Sequence, residues 1–260
     1  NNSVADYYLN VFFDDWNTSF SEISTFNEVD WFIPNNYYFD NYYHKGNYEQ
    51  QFYSEIFYDD FSVKPVFSPD TSFNEIYNLI NSAEKSIYIE QLYIYKYWDS
   101  ELNPLLEVLS SKAKNGVDVR VIMNYNPFYK STNQEMNLTK NYLEKNNVKV
   151  KFIYTNWSIF TNLHNKGAII DNESVLISSI NWNKNSFMNN REAGIIIKNK
   201  NVSKYYANVF FYDWRLKEPI EKNSEEEIFE EENENTIYIV VIYTMTLVLI
   251  VQDWRKRKWQ

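Results

Sequence analysis

Cysteine is absent from the 260 residues, histidine occurs twice, glycine four times and proline six. Without cysteine the chain cannot be a disulfide scaffold, although an exported protein need not use disulfides, so compartment stays open. Four glycines exclude a collagen-like chain. The 18 Phe, 23 Tyr and 8 Trp exclude an ordinary disordered tail, and a hydrophobic fraction of 44% supplies the core of one or two globular domains. Excess positive charge is also lacking. The formal net charge of -10 argues against gripping long nucleic acid through the overall field, and leaves only a local basic groove for that purpose.

The chain opens Asn1-Asn2, without the basic, apolar, small-residue order of a secretory leader, and reads as a fragment or processed product. An internal repeat is present. Residues 4–16 recur as residues 202–214, identical at nine of thirteen positions, with Tyr7-Tyr8 matching Tyr205-Tyr206, Phe12-Phe13 matching Phe210-Phe211, and Asp15-Trp16 matching Asp213-Trp214. The offset of 198 residues (202 minus 4) is too long for a solenoid unit and fits a duplicated domain. Residues 1–16 are therefore expected to be the terminal helix of a truncated first repeat.

Residues 17–64 are rich in Tyr, Phe, Asn and Asp, are broken by Pro34 and Gly46, and show no sustained period, as expected of an inter-repeat connection. From Thr71 the rhythm changes. Phe73, Ile76, Tyr77 and Ile80 keep helical spacing over 71–83, and Ser86 to Leu92 reads as a buried strand. A helix from Leu102 to Asn115 closes at Gly116, the strand 117–123 follows, and a helix near 134–146 leads to the strand 148–154. Strand, helix, strand, helix implies a mostly parallel sheet covered on both faces.

Beyond Trp214 the composition shifts. Seven of the ten residues 225–234 are acidic, so 217–235 is expected to be a solvated linker. Residues 237–251 carry no charge, and Trp254 is followed by the cluster Arg255-Lys256-Arg257-Lys258. The uncharged run is shorter than the ~20 residues usual for crossing a bilayer, but Thr236 and Gln252 extend it. The expectation is a transmembrane helix at 236–252 with a basic tail at 253–260 on the cytoplasmic side: a single-pass membrane anchor with the globular part extracytoplasmic.

The chemistry concentrates in Leu163-His164-Asn165-Lys166-Gly167-Ala168-Ile169-Ile170-Asp171, followed by Ser178-Ser179-Ile180-Asn181. In an extended strand residues two apart share a face, so His164 and Lys166 point together and Asp171 points away from them; Ser179 and Asn181 also share a face. An imidazole, an ammonium, a hydroxyl and an amide converge if the two strands are neighbours. That set suits a phosphodiester, whose cleavage needs a nucleophile and donors aimed at the non-bridging oxygens as charge builds up. The other histidine, His44 in Tyr43-His44-Lys45, lacks the spacer and reads as a loop residue.

The pattern His164-x-Lys166-x4-Asp171-x6-Ser178-Ser179-x-Asn181 resembles the HKD signature of the phospholipase D superfamily in residue type, order and spacing. Ser178 stands where that family usually has glycine. The resemblance implies an α/β fold, a phospholipase D-like mixed, mostly parallel sheet flanked by helices, in a domain spanning 65–216. It implies a catalytic set of His164, Lys166, Asp171 and Glu192. His164 would form a phosphohistidine or act as the general acid paired with one, Glu192 would orient the imidazole, and Asp171 would be more structural than chemical. Lys166, Ser179 and Asn181 would bind phosphate, and neither metal nor cofactor is required.

In this superfamily one active site uses two HKD motifs, and this chain contains one. The repeat offset puts a partner histidine upstream of Asn1; a homodimer is the other way to supply it. The expected function is a membrane-tethered phospholipase D-like phosphodiesterase acting on phospholipid by hydrolysis or transfer. The alternatives are a surface-tethered nuclease of the same family and an inactive membrane-anchored scaffold.

Overall fold

The computed structural model describes residues 2–17, 50–154 and 162–216. Helix α1 (Asn2–Asn17) is followed by strand β1 (Ser62–Ser68), helix α2 (Ser72–Asn81), strand β2 (Ser86–Gln91) and the small hairpin of β3 (Tyr97–Trp98) and β4 (Glu101–Leu102). Then come α3 (Pro104–Lys114), β5 (Asp118–Tyr125), α4 (Lys130–Lys145) and β6 (Lys149–Tyr154). The described elements close with β7 (Lys166–Ile170), β8 (Ser174–Ser178), α5 (Lys184–Met188), β9 (Glu192–Lys198) and α6 (Lys200–Arg215).

Local sequence explains the element boundaries. The Asn103 side chain accepts from the Leu105 amide at 3.0 Å, and Pro104 occupies the first turn of α3, where its missing N–H costs nothing. Past the end of that helix Gly116 takes φ 91°, which a residue with a side chain rarely adopts. Helix α4 begins four residues before the expected 134. Its inward positions include Asn133 and Thr139 beside Met136 and Leu143, so the buried stripe does not register as apolar. The domain also starts earlier than 65, because β1 takes Ser62, Val63 and Lys64 from the expected connection.

Seven strands form one sheet in the order β1-β9-β8-β7-β2-β5-β6. The expectation of a mostly parallel sheet is corrected: only β2 with β5 and β5 with β6 are parallel, and the other four pairings are antiparallel. The helix-strand alternation that suggested parallel pairing ends at β6. After it β7 and β8 are joined directly by the turn Asp171-Asn172-Glu173, whose first two residues are left-handed (φ 54° and 53°) and whose Glu173 amide donates to the Ile170 carbonyl at 2.9 Å. Two consecutive left-handed residues make the turn that matches strand twist, and Asp and Asn tolerate it best after glycine.

Alternation along the strands splits the core into two layers. One face carries Val66, Ile87, Ile89, Val121, Met123, Ala168, Ile170 and Leu176 against α2, α3, α4 and α5. The other carries Tyr88, Ile122, Ile169 and Val175 against α6, whose Val202, Ala207 and Phe210 are buried. Helix α1 docks on β1, where Tyr8 stacks near Phe67 (centroids 4.9 Å apart) and donates its hydroxyl proton to the Gly194 carbonyl at 2.7 Å.

Ser178, unusual at its place in the motif, fits because of its cross-strand neighbour. A Cβ on Gly194 would lie 2.7 Å from the Ser178 Cβ, so one of the two positions must be bare; the serine hydroxyl uses the space to donate to the Lys166 carbonyl at 2.9 Å. Gly194→Ala is expected to cost roughly 1–3 kcal/mol through overpacking. Urea unfolding of a double-mutant cycle checks it: the cost shrinks when Ser178→Gly is also present, and equal costs in both backgrounds would refute the pairing.

The expected linker (217–235), anchor (236–252) and basic tail (253–260) lie outside the described residues, as do His44 and most of the 17–64 connection. Among the described residues no helix is long and apolar enough to cross a membrane.

Candidate active site

Strand direction brings the motif residues to one edge of the sheet. The carboxyl ends of β1, β2, β5, β6 and β8 and the amino ends of β7 and β9 all open there, as the registers Gln91↔Lys166 and Ser68↔Glu192 show. Such an edge is where open α/β sheets hold ligands.

His164 sits on the extended approach to β7, between two anchored neighbours. Leu163 is buried and its amide donates to Asn124 Oδ1 at 2.9 Å; Asn165 donates its amide Nδ2 to Glu90 Oε2. With residues 163 and 165 tied toward the α6 layer, His164 and Lys166 project to the opposite side. Lys166 is only 7% exposed, and its Nζ lies 2.8 Å from His164 Nδ1, 3.2 Å from Nε2 and 2.8 Å from the His164 carbonyl oxygen, to which it donates.

Both groups are shifted toward neutrality. Partial burial and the neighbouring Lys166 charge hold the His164 ring below the ordinary imidazole range, so at neutral pH it is unprotonated and keeps a lone pair. Burial lowers the Lys166 ammonium as well, and the Glu192 carboxylate works against that shift. A neutral imidazole beside a compact cation is a chemically able pair: the ring's lone pair can attack an electrophile while the cation offsets charge on it.

Glu192 does not hold the imidazole as expected. Its Oε2 accepts from the Ser179 hydroxyl at 2.5 Å and its Oε1 from the Asn190 amide at 3.1 Å. The reason is position: β9 places Glu192 across from Ser68 and beside the end of β8, next to Ser179, whose backbone amide bonds the Ala193 carbonyl. Ser179 therefore spends its hydroxyl on Glu192, while Asn181 keeps a buried Oδ1 with no partner and reaches the Tyr93 hydroxyl. His164, Lys166, Ser179, Asn181 and Glu192 thus share the open edge.

Asp171 does not join them, a correction to its inclusion in the catalytic set. It lies at the far end of β7, where Oδ1 accepts from the Lys85 and Ser86 amides (both 2.7 Å) and Oδ2 from the Glu84 amide at 2.9 Å. The side chain caps the start of β2, which sets the β2–β7 register beneath Lys166. Asp171→Ala is expected to lose about 1.5–3 kcal/mol in urea unfolding. Turnover per folded molecule should be retained, and selective loss of turnover would return Asp171 to the chemistry.

Sequence reasoning passed over Glu90, Asp213 and Tyr93. The first left a signal, a carboxylate inside the apolar run from Ile87 to Leu92; the second is a charge shared by both copies of the aromatic repeat. Burial pushes Glu90 up to about 8, reinforced by the Asp213 charge, and pushes Asp213 up to about 6. Tyr93, raised by burial and by the charges of Tyr95 and Glu192, joins the site through Asn181 and Asn183.

The fold is thus a seven-stranded α/β sheet with a histidine-lysine pair at its open edge. Residues 76–214 match the family model described as cardiolipin synthase, PLD-like domain, and the chain belongs to this phospholipase D-like family. It is 29% identical over 143 residues to a cardiolipin synthase of Clostridium perfringens (strain SM101 / Type A), covering 55% of this chain and 28% of that protein. Against a cardiolipin synthase of Listeria monocytogenes serotype 4b (strain F2365) the identity is 29% over 149 residues, 56% of this chain and 29% of the relative. The match thus spans under a third of the length of these curated relatives. In fold, the chain is similar to the phospholipase D family member Nuc from Salmonella typhimurium (TM-score 0.51, 23% identity), covering 60% of this chain and 95% of that one.

Proposed function

We propose that this chain is one HKD-bearing half of a phospholipase D-like enzyme that moves or hydrolyses a phosphatidyl group. The observation carrying the reading is the His164 ring held against the buried Lys166 at the open edge of the sheet. In the reaction a ring nitrogen of His164 attacks phosphorus, the P–N bond forms as the P–O bond to the leaving alcohol breaks, and the alkoxide takes a proton from an acid. Water or a second alcohol, giving its proton to the conjugate base of that acid, then attacks phosphorus; the P–N bond breaks and the ring is returned. Lys166 offsets charge on the non-bridging oxygens, and Ser179 and Asn181 lie at the same edge to orient them.

The acid belongs to a second HKD motif, contributed by an upstream repeat that ends in α1 or by a partner copy. Residues 236–252 anchor the molecule, with the domain outside the membrane and the acidic linker as tether. The cardiolipin synthase relatives support phosphatidyl transfer, and the acidic net charge disfavours long nucleic acid.

The test is to give the full-length natural protein phosphatidylglycerol vesicles and single-stranded DNA in parallel, with EDTA present, and to follow lipid products and DNA length. New lipid phosphodiester or phosphatidic acid, with DNA intact, is the expected result. DNA cleavage without lipid turnover would move the protein to the nuclease reading. A folded protein silent on both would leave the scaffold.

A further inference from the structure

Beneath His164 lies a cavity of about 310 Å³ between the sheet and α6, lined by Glu90, His164, Asn165, Lys166, Tyr206 and neighbouring β7 and β8 residues. Glu90 enters it from β2 and is 6% exposed; Asp213 of α6, 5% exposed, lies against Glu90 behind the cavity lining. Glu90 Oε2 is occupied by Asn165, Oε1 is buried without a donor among the described residues, and the Asp213 carboxyl lies within reach of the Glu90 carboxyl. Two carboxylates cannot hydrogen-bond each other. One proton between them turns the contact into an O–H···O⁻ bond and satisfies the orphaned oxygen.

We propose that Glu90 and Asp213 share one proton and in that state hold Asn165, and through it the His164 ring, in place: both acids are positioning residues for the motif. The proposal rests on His164 being the reactive group. Asn165 lies between His164 and Lys166 in the chain, and its tie to Glu90 is one of the anchors of a segment that has no strand pairing of its own.

The other groups on this side are accounted for. Lys151 of β6 lies near Asp213 and spends its ammonium on the carbonyls of Asp213, Trp214 and Leu216 at the end of α6. Arg120 of β5 sits over the Tyr88, Phe211 and Trp214 rings and pairs with Asp118. Tyr206 of α6 lines the cavity and is raised by burial, so it adds no negative charge near neutrality. From the β7 side come His164 and Lys166. No cation in this set contacts Glu90, so loss of the shared proton leaves two adjacent buried negative charges that push apart.

The sign follows from burial, which holds the Glu90 proton until about pH 8. Below that the anchor is intact; above it the anchor loosens. Glu90→Gln reproduces the protonated state at every pH, its carbonyl accepting from Asn165 and its amide donating to Asp213. Asn165→Leu, at an exposed position, removes the tie without threatening the core.

Histidine-detected NMR of the full chain reads this directly, because only two histidines exist and His164→Asn assigns the resonance. Wild-type His164 should show, besides its own titration, a second inflection near pH 8, absent in both Glu90→Gln and Asn165→Leu. In the turnover assay Glu90→Gln should keep wild-type kcat at pH 7 and shift the alkaline limb upward by at least one pH unit. Asn165→Leu should lower kcat about tenfold with little change in KM. Persistence of the second inflection in Glu90→Gln, or an unchanged alkaline limb in an active enzyme, would overturn the proposal. If no variant turns over substrate but the inflection behaves as stated, the positioning role stands and the catalytic reading of His164 falls.

Discussion

His164→Asn is expected to abolish phosphodiester turnover in the full-length protein, a loss of roughly 10⁴–10⁶ in kcat, the scale seen when a nucleophile is deleted from an otherwise intact site. Asparagine keeps polar bulk at an exposed position, so unfolding free energy should move by no more than about 0.5 kcal/mol. The Lys166 ammonium then loses both ring-nitrogen contacts, but keeps the His164 backbone carbonyl, which any residue there supplies. Phosphate affinity should therefore survive: a substrate analogue still binds and stays uncleaved. Turnover within tenfold of wild type would show that another group attacks phosphorus.

Phe210→Ala should be the most damaging single truncation in the α6 layer, costing about 3–5 kcal/mol. Its ring is 1% exposed, stacked on Tyr88 at 5.1 Å and on Trp214 at 5.7 Å, and the backbone around it is pinned by the sheet, so the hole cannot collapse. Phe12 is its counterpart in the repeat, with the same neighbours in sequence, yet it is 53% exposed, and among the described residues its ring contacts are Phe13 and Trp16 of its own helix. Phe12→Ala should change the stability of this 260-residue chain by no more than about 0.5 kcal/mol. Urea unfolding of both variants makes the comparison. A large loss for Phe12→Ala in a longer natural chain would mean that a second sheet covers α1 there, as the first sheet covers α6 here.

How far the sequence spoke depended on whether the deciding interaction was local. Helix α3 was legible because its cap, its first-turn proline and its closing glycine are all adjacent in the chain. The antiparallel half of the sheet was not, since Val175 to Ser178 and Glu192 to Lys198 are short apolar runs whose partners no local pattern specifies. Within the site, the pairing of His164 with Lys166 followed from strand alternation alone. Glu192 was placed at the right edge but given the wrong partner, because Ser179 is brought to it by the β8–β9 register. Asp171 was listed among the reactive residues by resemblance, while alternation already pointed it elsewhere. The buried pair of Glu90 and Asp213 needed two elements far apart in the chain, and only their odd placement among apolar neighbours hinted at it.

The β7–β8 hairpin has a consequence for how the protein is made. Its two strands are joined by a three-residue turn and meet at little entropic cost, whereas β2 must be brought from far upstream to pair with β7, and β1 must wait for β9. Lys166 owes its burial to that late closure, and the lowered affinity of His164 for protons owes part of its cause to Lys166. A nascent or partly open chain therefore carries an ordinary solvated histidine and lysine. If His164 acts as proposed, its reactivity arrives with the long-range pairings and not with the hairpin that carries it.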